Sequence, residues 1–202
     1  RNSFITEGIR LSYYPRMNQR KNTDLLENKY RTYKKFKDMY KREVIRILKN
    51  EKPTEENLAK LREFAERHEN YVVKPVYAAF GNGVRVENLG MYDSVEEAHQ
   101  EYSKSGAVIE EVIVQGEALS KIHAGSVNTL RIPTAIIKNE EGEPEIKLFH
   151  PSIRMGRGDS FVDNFSAGGV SALIDAETGV IYTDGADKKG LTYVCHPDSG
   201  IR

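Results

Sequence analysis

The sequence predicts an α+β protein built from two closely joined subdomains, and three observations predict it. Helix-spaced apolar residues are interleaved with β-branched runs through the first half of the chain, and antiparallel-looking strands separated by turn residues dominate the second. No internal repeat, low-complexity tract or Pro/Gly/Ser-rich linker divides the halves. A plain dinucleotide-binding fold, which needs helix and strand to alternate throughout, is disfavoured. At 202 residues and 39% hydrophobic composition, the chain is large enough to bury a substantial core. Thirty basic residues balance thirty acidic ones, so total charge calls for neither nucleic acid nor an anionic membrane as partner.

Taken in order, residues 1–23 lack clean periodicity and read as a helical or irregular lead-in. From Asp24, a candidate N-cap, Leu25, Leu26, Tyr30, Tyr33, Phe36 and Tyr40 recur at helical spacing over a lysine-rich opposite face. Residues 43–48 alternate and are β-branched, which predicts a short strand, although the helix could run on through them. Thr54 followed by Glu55, Glu56 and Asn57 opens a second helix whose stripe is Leu58, Leu61, Phe64 and Ala65, ending near His68. Residues 71–75 and 84–88 form the strands of a hairpin whose tip holds Ala78, Ala79, Phe80, Gly81, Asn82 and Gly83. Ser94 and Glu97 have capping-box spacing for a helix to about Lys104, and residues 107–114 then read as a buried strand. Strands are further expected at 127–138, 145–155, 170–174 and 180–182, parted by turn signals at 139–142 and 175–179.

The single cysteine, Cys195, cannot form an internal disulfide, and no apolar run is long enough to span a bilayer, which together predict a cytoplasmic protein with no membrane partner. Because the chain starts at Arg1 and stops soon after the turn-like residues 196–200, it reads as a piece of a longer protein. The five histidines lack ligand spacing, and there is neither a Gly-x-Ser-x-Gly motif nor a Walker lysine loop, so zinc and serine-hydrolase chemistry are poor readings.

Four segments carry candidate chemistry. Lys74 ends a strand before Pro75 and the Gly81–Asn82–Gly83 loop, an arrangement that suits a phosphate nest but also a surface hairpin with a solvated lysine. Glu110 and Glu111 interrupt an apolar strand, either to meet a ligand or to face water from a sheet edge, and Glu117 lies downstream. Asn128 and Arg131 sit in a β-prone run, where a forked ion contact to phosphate or carboxylate competes with an internal salt bridge, and Pro133 implies an edge or bulge. Arg154 at a strand end precedes a polar loop holding Asp163 and Asn164 and closed by Gly168 and Gly169, either an anion-receiving wall or a long hairpin.

The order of these pieces resembles the ATP-grasp superfamily. Glu-Asn-Lys29, Val-Val-Lys74-Pro, Ile-Glu110-Glu-Val-Ile, Ser-Val-Asn128-Thr-Leu-Arg131, Arg154-Met-Gly and Val-Asp163-Asn164 with Gly168-Gly169 are most similar to its sugar-transfer-associated, glutamate-ligase-like branch. The likeness spans roughly residues 20–200. It implies an ATP-grasp fold of two α+β subdomains sandwiching ATP, here residues 24–115 and an incomplete 116–202. It implies that Lys29 and Lys74 reach the nucleotide phosphates under the Gly81–Gly83 loop. The adenine is expected at Glu110 and the backbone of Glu111 and Ile113, and the ribose at Glu117. Arg131 and Arg154 are expected at the γ-phosphate or the substrate carboxylate, with Asn128, Asp163 and Asn164 lining the same wall, so that four scattered cations converge on one triphosphate. The implied reaction is ATP- and Mg²⁺-dependent ligation of a carboxylate to an amine through an acyl phosphate, on a saccharide, peptide or small-molecule acceptor. The alternatives are phosphorylation of a hydroxyl and an inactive nucleotide-binding module. The loop at 78–83 has fewer glycines than many relatives, Gly116 stands where a histidine often follows the glutamine, and the magnesium ligands are expected beyond Arg202. The sequence leaves the oligomeric state open.

Overall fold

The computed structural model describes residues 12, 14–18, 20–79 and 81–202. The remaining lead-in positions and Phe80 of the hairpin tip lie outside the described residues. The chain divides into two units, residues 1–112 and 113–202, and both mix helix and strand as an α+β class requires.

The first unit is a four-stranded antiparallel sheet with helices against both faces. Its strands are β1 (Val44–Ile47), β2 (Tyr71–Pro75), β3 (Arg85–Glu87) and β4 (Ala107–Glu111), in spatial order β1-β4-β2-β3. Because side chains alternate across a pleated strand, the register decides which residues share a face. Val73 lies opposite Ile109 and Pro75 opposite Ala107. Tyr71, Val73, Ala107 and Ile109 pack with Ile47 against helices α4 (Glu55–Arg67) and α5 (Val95–Ser103). Leu61 and Phe64 of α4 and Ala98 of α5 are completely buried there, and Thr54 and Asn57 close a reciprocal capping box at the start of α4. The other face presents Val44, Val108, Lys74 and Glu110. Tyr33 joins Val44, Val76 and Val108 in a second apolar cluster, flanked by Tyr30 and Tyr40. Those tyrosines come from α2 (Lys29–Lys35) and α3 (Lys37–Tyr40), which follow α1 (Arg20–Glu27).

The second unit begins with an irregular stretch to Gly116 and helix α6 (Glu117–Ile122). A five-stranded antiparallel sheet follows, in order β11-β10-β9-β8-β5. Its strands are β5 (Thr129–Arg131), β8 (Ser152–Met155), β9 (Val170–Leu173), β10 (Gly185–Ala186) and β11 (Thr192–Tyr193); β6 (Thr134–Lys138) and β7 (Pro144–Leu148) form a separate hairpin. One sheet face holds Ile153, Met155, Val170 and Ala172, packed with Leu119 and Ile122 of α6. The opposite face holds Thr129, Arg131, Ser152, Arg154 and Ser171. Among the described residues no helix is long and apolar enough to cross a membrane.

Several sequence expectations need correction. Asp24 is inside α1 and caps nothing; the periodicity over residues 24–40 spans three helices. Asn28 restarts the second by accepting the Arg31 amide on its side chain. Ser94 does accept the Glu97 amide, but the Glu97 carboxylate takes the Asp93 amide instead of completing the box. Strand β4 stops at Glu111, short of Val114, and it is central in its sheet, so its two glutamates are not edge residues facing water. The run 127–138 is two strands in different sheets, parted at Pro133, which cannot donate to a ladder. The run 145–155 is likewise two, parted before Pro151. Residues 180–182 form only a single bridge, Ile174 to Ile181, where a strand was expected.

Candidate functional site

In the first unit the alternation that buries Val73 and Ile109 on one face places Lys74 and Glu110 together on the other. They are diagonal neighbours, since Val72 pairs with Glu110 and Lys74 with Val108. Lys74 Nζ donates to Glu110 Oε2 at 2.7 Å. Arg42 donates to the same oxygen through Nη2 at 2.8 Å and Nε at 3.1 Å. Arg42 arrives there because α3 ends at Lys41 in the left-handed conformation, φ 52°. That turn lays the guanidinium over the Tyr40 ring, 4.3 Å from its centroid. The Glu110 side chain is 4% exposed, while Lys74 and Arg42 keep 22% and 19%. Burial, then the Glu110 charge, push the Tyr40 hydroxyl up, with Arg42 opposing them.

Lys29 enters from the start of α2. Its amide donates to the Val76 carbonyl at 3.2 Å and its Nζ to the Ala78 carbonyl at 2.6 Å. The preceding Asn28 is buried and its side-chain amide donates to the Tyr77 hydroxyl at 2.7 Å. These bonds fix the lysine against the strand exit that leads to the glycine loop. Burial and then the neighbouring Lys74 hold the Lys29 ammonium below the ordinary lysine range, with Glu110 only partly offsetting them. Lys29 and Lys74 therefore lie near enough for each charge to act on the other, and two cations, Lys74 and Arg42, are bonded to one carboxylate. The loop itself is tightly turned: Gly81 and Gly83 have φ of 78° and 70°, and the Val84 amide closes on the Gly81 carbonyl. A side chain at Gly83 would meet Pro75 Cγ at 2.8 Å, so the glycine is required both by φ and by close packing. Asn82 sits between them with its amide on the Ala79 carbonyl.

The other expected nucleotide residues are placed differently. Glu111 accepts the Glu43 amide at 3.0 Å, across the β1–β4 ladder. Ile113 is partly exposed in the irregular stretch after β4. Glu117 opens α6 and pairs with Lys121 one turn on, at 2.7 Å, with 83% of its side chain exposed.

In the second unit the β5–β8 register sets Thr129 opposite Arg154 and Arg131 opposite Ser152, so both arginines share the polar sheet face. Arg154 donates to Thr129 Oγ1 through Nη2 at 2.8 Å and Nε at 3.1 Å, and lies 3.5 Å from Asp163 Oδ2. The Thr129 hydroxyl donates to the same Asp163 oxygen. Arg131 is exposed at the strand end. Asn164 starts a short 3₁₀ turn closed by Gly168 in the left-handed region, φ 104°. Gly169 then passes so near the Asp163 and Met155 carbonyls that an added Cβ would lie 2.5 and 2.8 Å away. Asn128 is at the centre of an internal polar network. Its Nδ2 donates to the Leu119 and His123 carbonyls at 2.8 and 3.1 Å, and its Oδ1 accepts the Gly156 amide at 3.2 Å. Gln115 donates to the His123 and Ser126 carbonyls, both at 2.7 Å, and accepts the Asn128 amide. His196 reaches the Gly156 carbonyl at 2.8 Å. Among the described residues no group of three or more His, Cys, Asp or Glu side chains is gathered to hold a metal.

Sequence reasoning singled out neither Arg42 nor the Arg157–Asp187–Tyr193 triad. In that triad Arg157 donates to the Tyr193 hydroxyl at 2.8 Å, and the hydroxyl donates to Asp187 at 3.0 Å. The Asp187 carboxyl is held below the usual range: burial works against this, and the Tyr193 hydroxyl and the Lys189 and Leu191 amides overcome it. Only the Arg42 miss had a local signal, an arginine just ahead of the β-branched run that forms the edge strand β1.

A family model for sugar-transfer associated ATP-grasp proteins matches residues 9–202, nearly the whole chain. No curated protein matches the sequence significantly.

Proposed function

The chain belongs to the sugar-transfer associated ATP-grasp family, and from that premise we propose that it binds ATP through Lys29 and Lys74 and activates a carboxylate for transfer to an amine. One observation carries the reading. Two lysines are held together at a half-buried site whose single carboxylate is already matched by Arg42, and the burial of Lys29 beside Lys74 leaves room for more negative charge. A polyphosphate supplies that charge, and oriented cations stabilise it most as it builds up in a loose phosphoryl-transfer transition state.

In the proposed reaction an oxygen of the acceptor carboxylate attacks the γ-phosphorus, the bond to the ADP oxygen breaks, and an acyl phosphate forms. An amine nitrogen then attacks the acyl carbon, inorganic phosphate leaves, and the nitrogen gives up a proton to solvent. Lys29 and Lys74 hold phosphate oxygens, and the Arg131–Arg154 face of the second unit is by itself a surface suited to an anionic group. Among the described residues no set of side chains is gathered to hold a metal; Mg²⁺, when bound, would neutralise phosphate charge. A carboxylated saccharide or peptide is the proposed acceptor class, and the cytoplasm, with its ATP pool, the proposed location.

Calorimetric titration with Mg²⁺ and a non-hydrolysable ATP analogue tests the reading. Lys74→Ala should weaken binding about 10- to 100-fold, the value of one charge-assisted contact; absence of heat with the unmodified protein would refute it. With acceptor present, hydroxylamine should trap the acyl phosphate as a hydroxamate. ADP release with a phosphorylated hydroxyl and no hydroxamate would make the protein a kinase instead.

A further inference from the structure

Glu110 Oε2 accepts from two cations at once, and the two are held very differently. Arg42 grips it with two nitrogens and is itself stacked on Tyr40, with a further contact from Nη1 to the Tyr40 carbonyl at 3.5 Å. Lys74 makes one bond to it, from the end of a flexible chain at the strand exit. A carboxylate this buried is strongly destabilised if its last positive partner leaves, but tolerates losing one of two. A planar, bidentate and always charged guanidinium is the better permanent partner; the point charge of an ammonium is the better mobile one.

We propose that Arg42 is a positioning residue: it keeps Glu110 neutralised so that Lys74 can transfer from that carboxylate to a nucleotide phosphate. The inference rests on the reading that Lys74 receives phosphate. Arg42 need not touch the nucleotide; it sets how readily Lys74 becomes free. Without it, Lys74 is left as the cation hydrogen-bonded to a buried charge and is held back from the ligand. The effect should disappear when position 110 no longer carries a charge, because a neutral amide demands no counter-ion.

The test is a double-mutant cycle on the binding of the non-hydrolysable ATP analogue with Mg²⁺, using Arg42→Met, Glu110→Gln and both together. Arg42→Met alone should weaken affinity at least tenfold, with Arg42→Lys substantially closer to the unmodified protein. In the Glu110→Gln background the same Arg42→Met change should alter affinity by less than threefold. A tenfold further loss in that background would show that Arg42 acts on the nucleotide directly or through the fold, and would overturn the proposal. An unchanged affinity in Arg42→Met alone would overturn it as well. Should that single variant fold poorly, the comparison within the Glu110→Gln background still decides, since no charged carboxylate is left unpaired there. If the unmodified protein binds no analogue, the underlying reading of Lys74 fails, a result distinct from every outcome of the cycle.

Discussion

The two units solve the same problem, fixing a polar sheet face, by different physical means. In the first, the cations stand on one face of a sheet whose other face is sealed by fully buried aromatics and aliphatics: Phe64 meets Tyr71 at 5.9 Å between ring centroids, and Tyr71 meets Tyr102 at 6.5 Å. In the second, the buried apolar cluster is small, and the strands and loops around Arg154 are tied by the Gln115–Asn128–His196 hydrogen bonds and by glycines in close backbone contact. The difference teaches where each unit is vulnerable. Non-directional burial tolerates polar change nearby and fails when volume is removed; a directional network fails when one partner is lost.

Phe64→Ala should break the first unit most severely, costing about 3–5 kcal/mol through transfer and cavity terms, measured by denaturant unfolding. A loss under about 1 kcal/mol would mean that the sheet is not anchored by this core. Asn128→Ala should cost about 1–3 kcal/mol by stranding the Gly156 amide and taking one donor from each of the Leu119 and His123 carbonyls, with faster hydrogen exchange confined to the second unit. If exchange instead rises evenly across both units, the contrast drawn between them fails. Thr54→Ala, removing the cap of α4, should cost about 1 kcal/mol, and a circular-dichroism melt resolves it. Glu117→Ala should alter stability by less than about 0.5 kcal/mol, since its pairing with Lys121 is an exposed one-turn ion pair.

How much of this was readable in the sequence follows the same division. The first unit's central elements were legible because they are local: the Thr54 cap with acidic residues behind it, and the alternation from Tyr71 to Pro75 that puts Lys74 on the opposite face from Val73. The restart at Asn28 was not, because apolar spacing continues across the break and only the Asn28 side chain on the Arg31 amide reveals it. In the second unit Pro133 flagged an irregularity, but the transfer of the chain to another sheet depends on β8 and β9, far along the sequence. Asn128 was noted in a β-prone run as a candidate, yet its partners, Gln115, Leu119, His123 and Gly156, are scattered over some forty positions. Arg42 was hidden for the same reason, since Glu110 lies 68 residues away.

The account turns on Lys29 and Lys74 receiving phosphate, and Lys29 supplies its own reporter. An ammonium held below its ordinary range by burial and by Lys74 loses its proton at a lower pH than a free lysine, and an arriving polyphosphate pulls that range back up. Titration of the ATP analogue in buffers of different ionisation enthalpy should therefore show proton uptake on the alkaline side, with affinity falling as pH rises through the lowered Lys29 range. Lys29→Met should bind more weakly and lose the uptake. Binding that is pH-independent and unaltered by Lys29→Met would contradict the account.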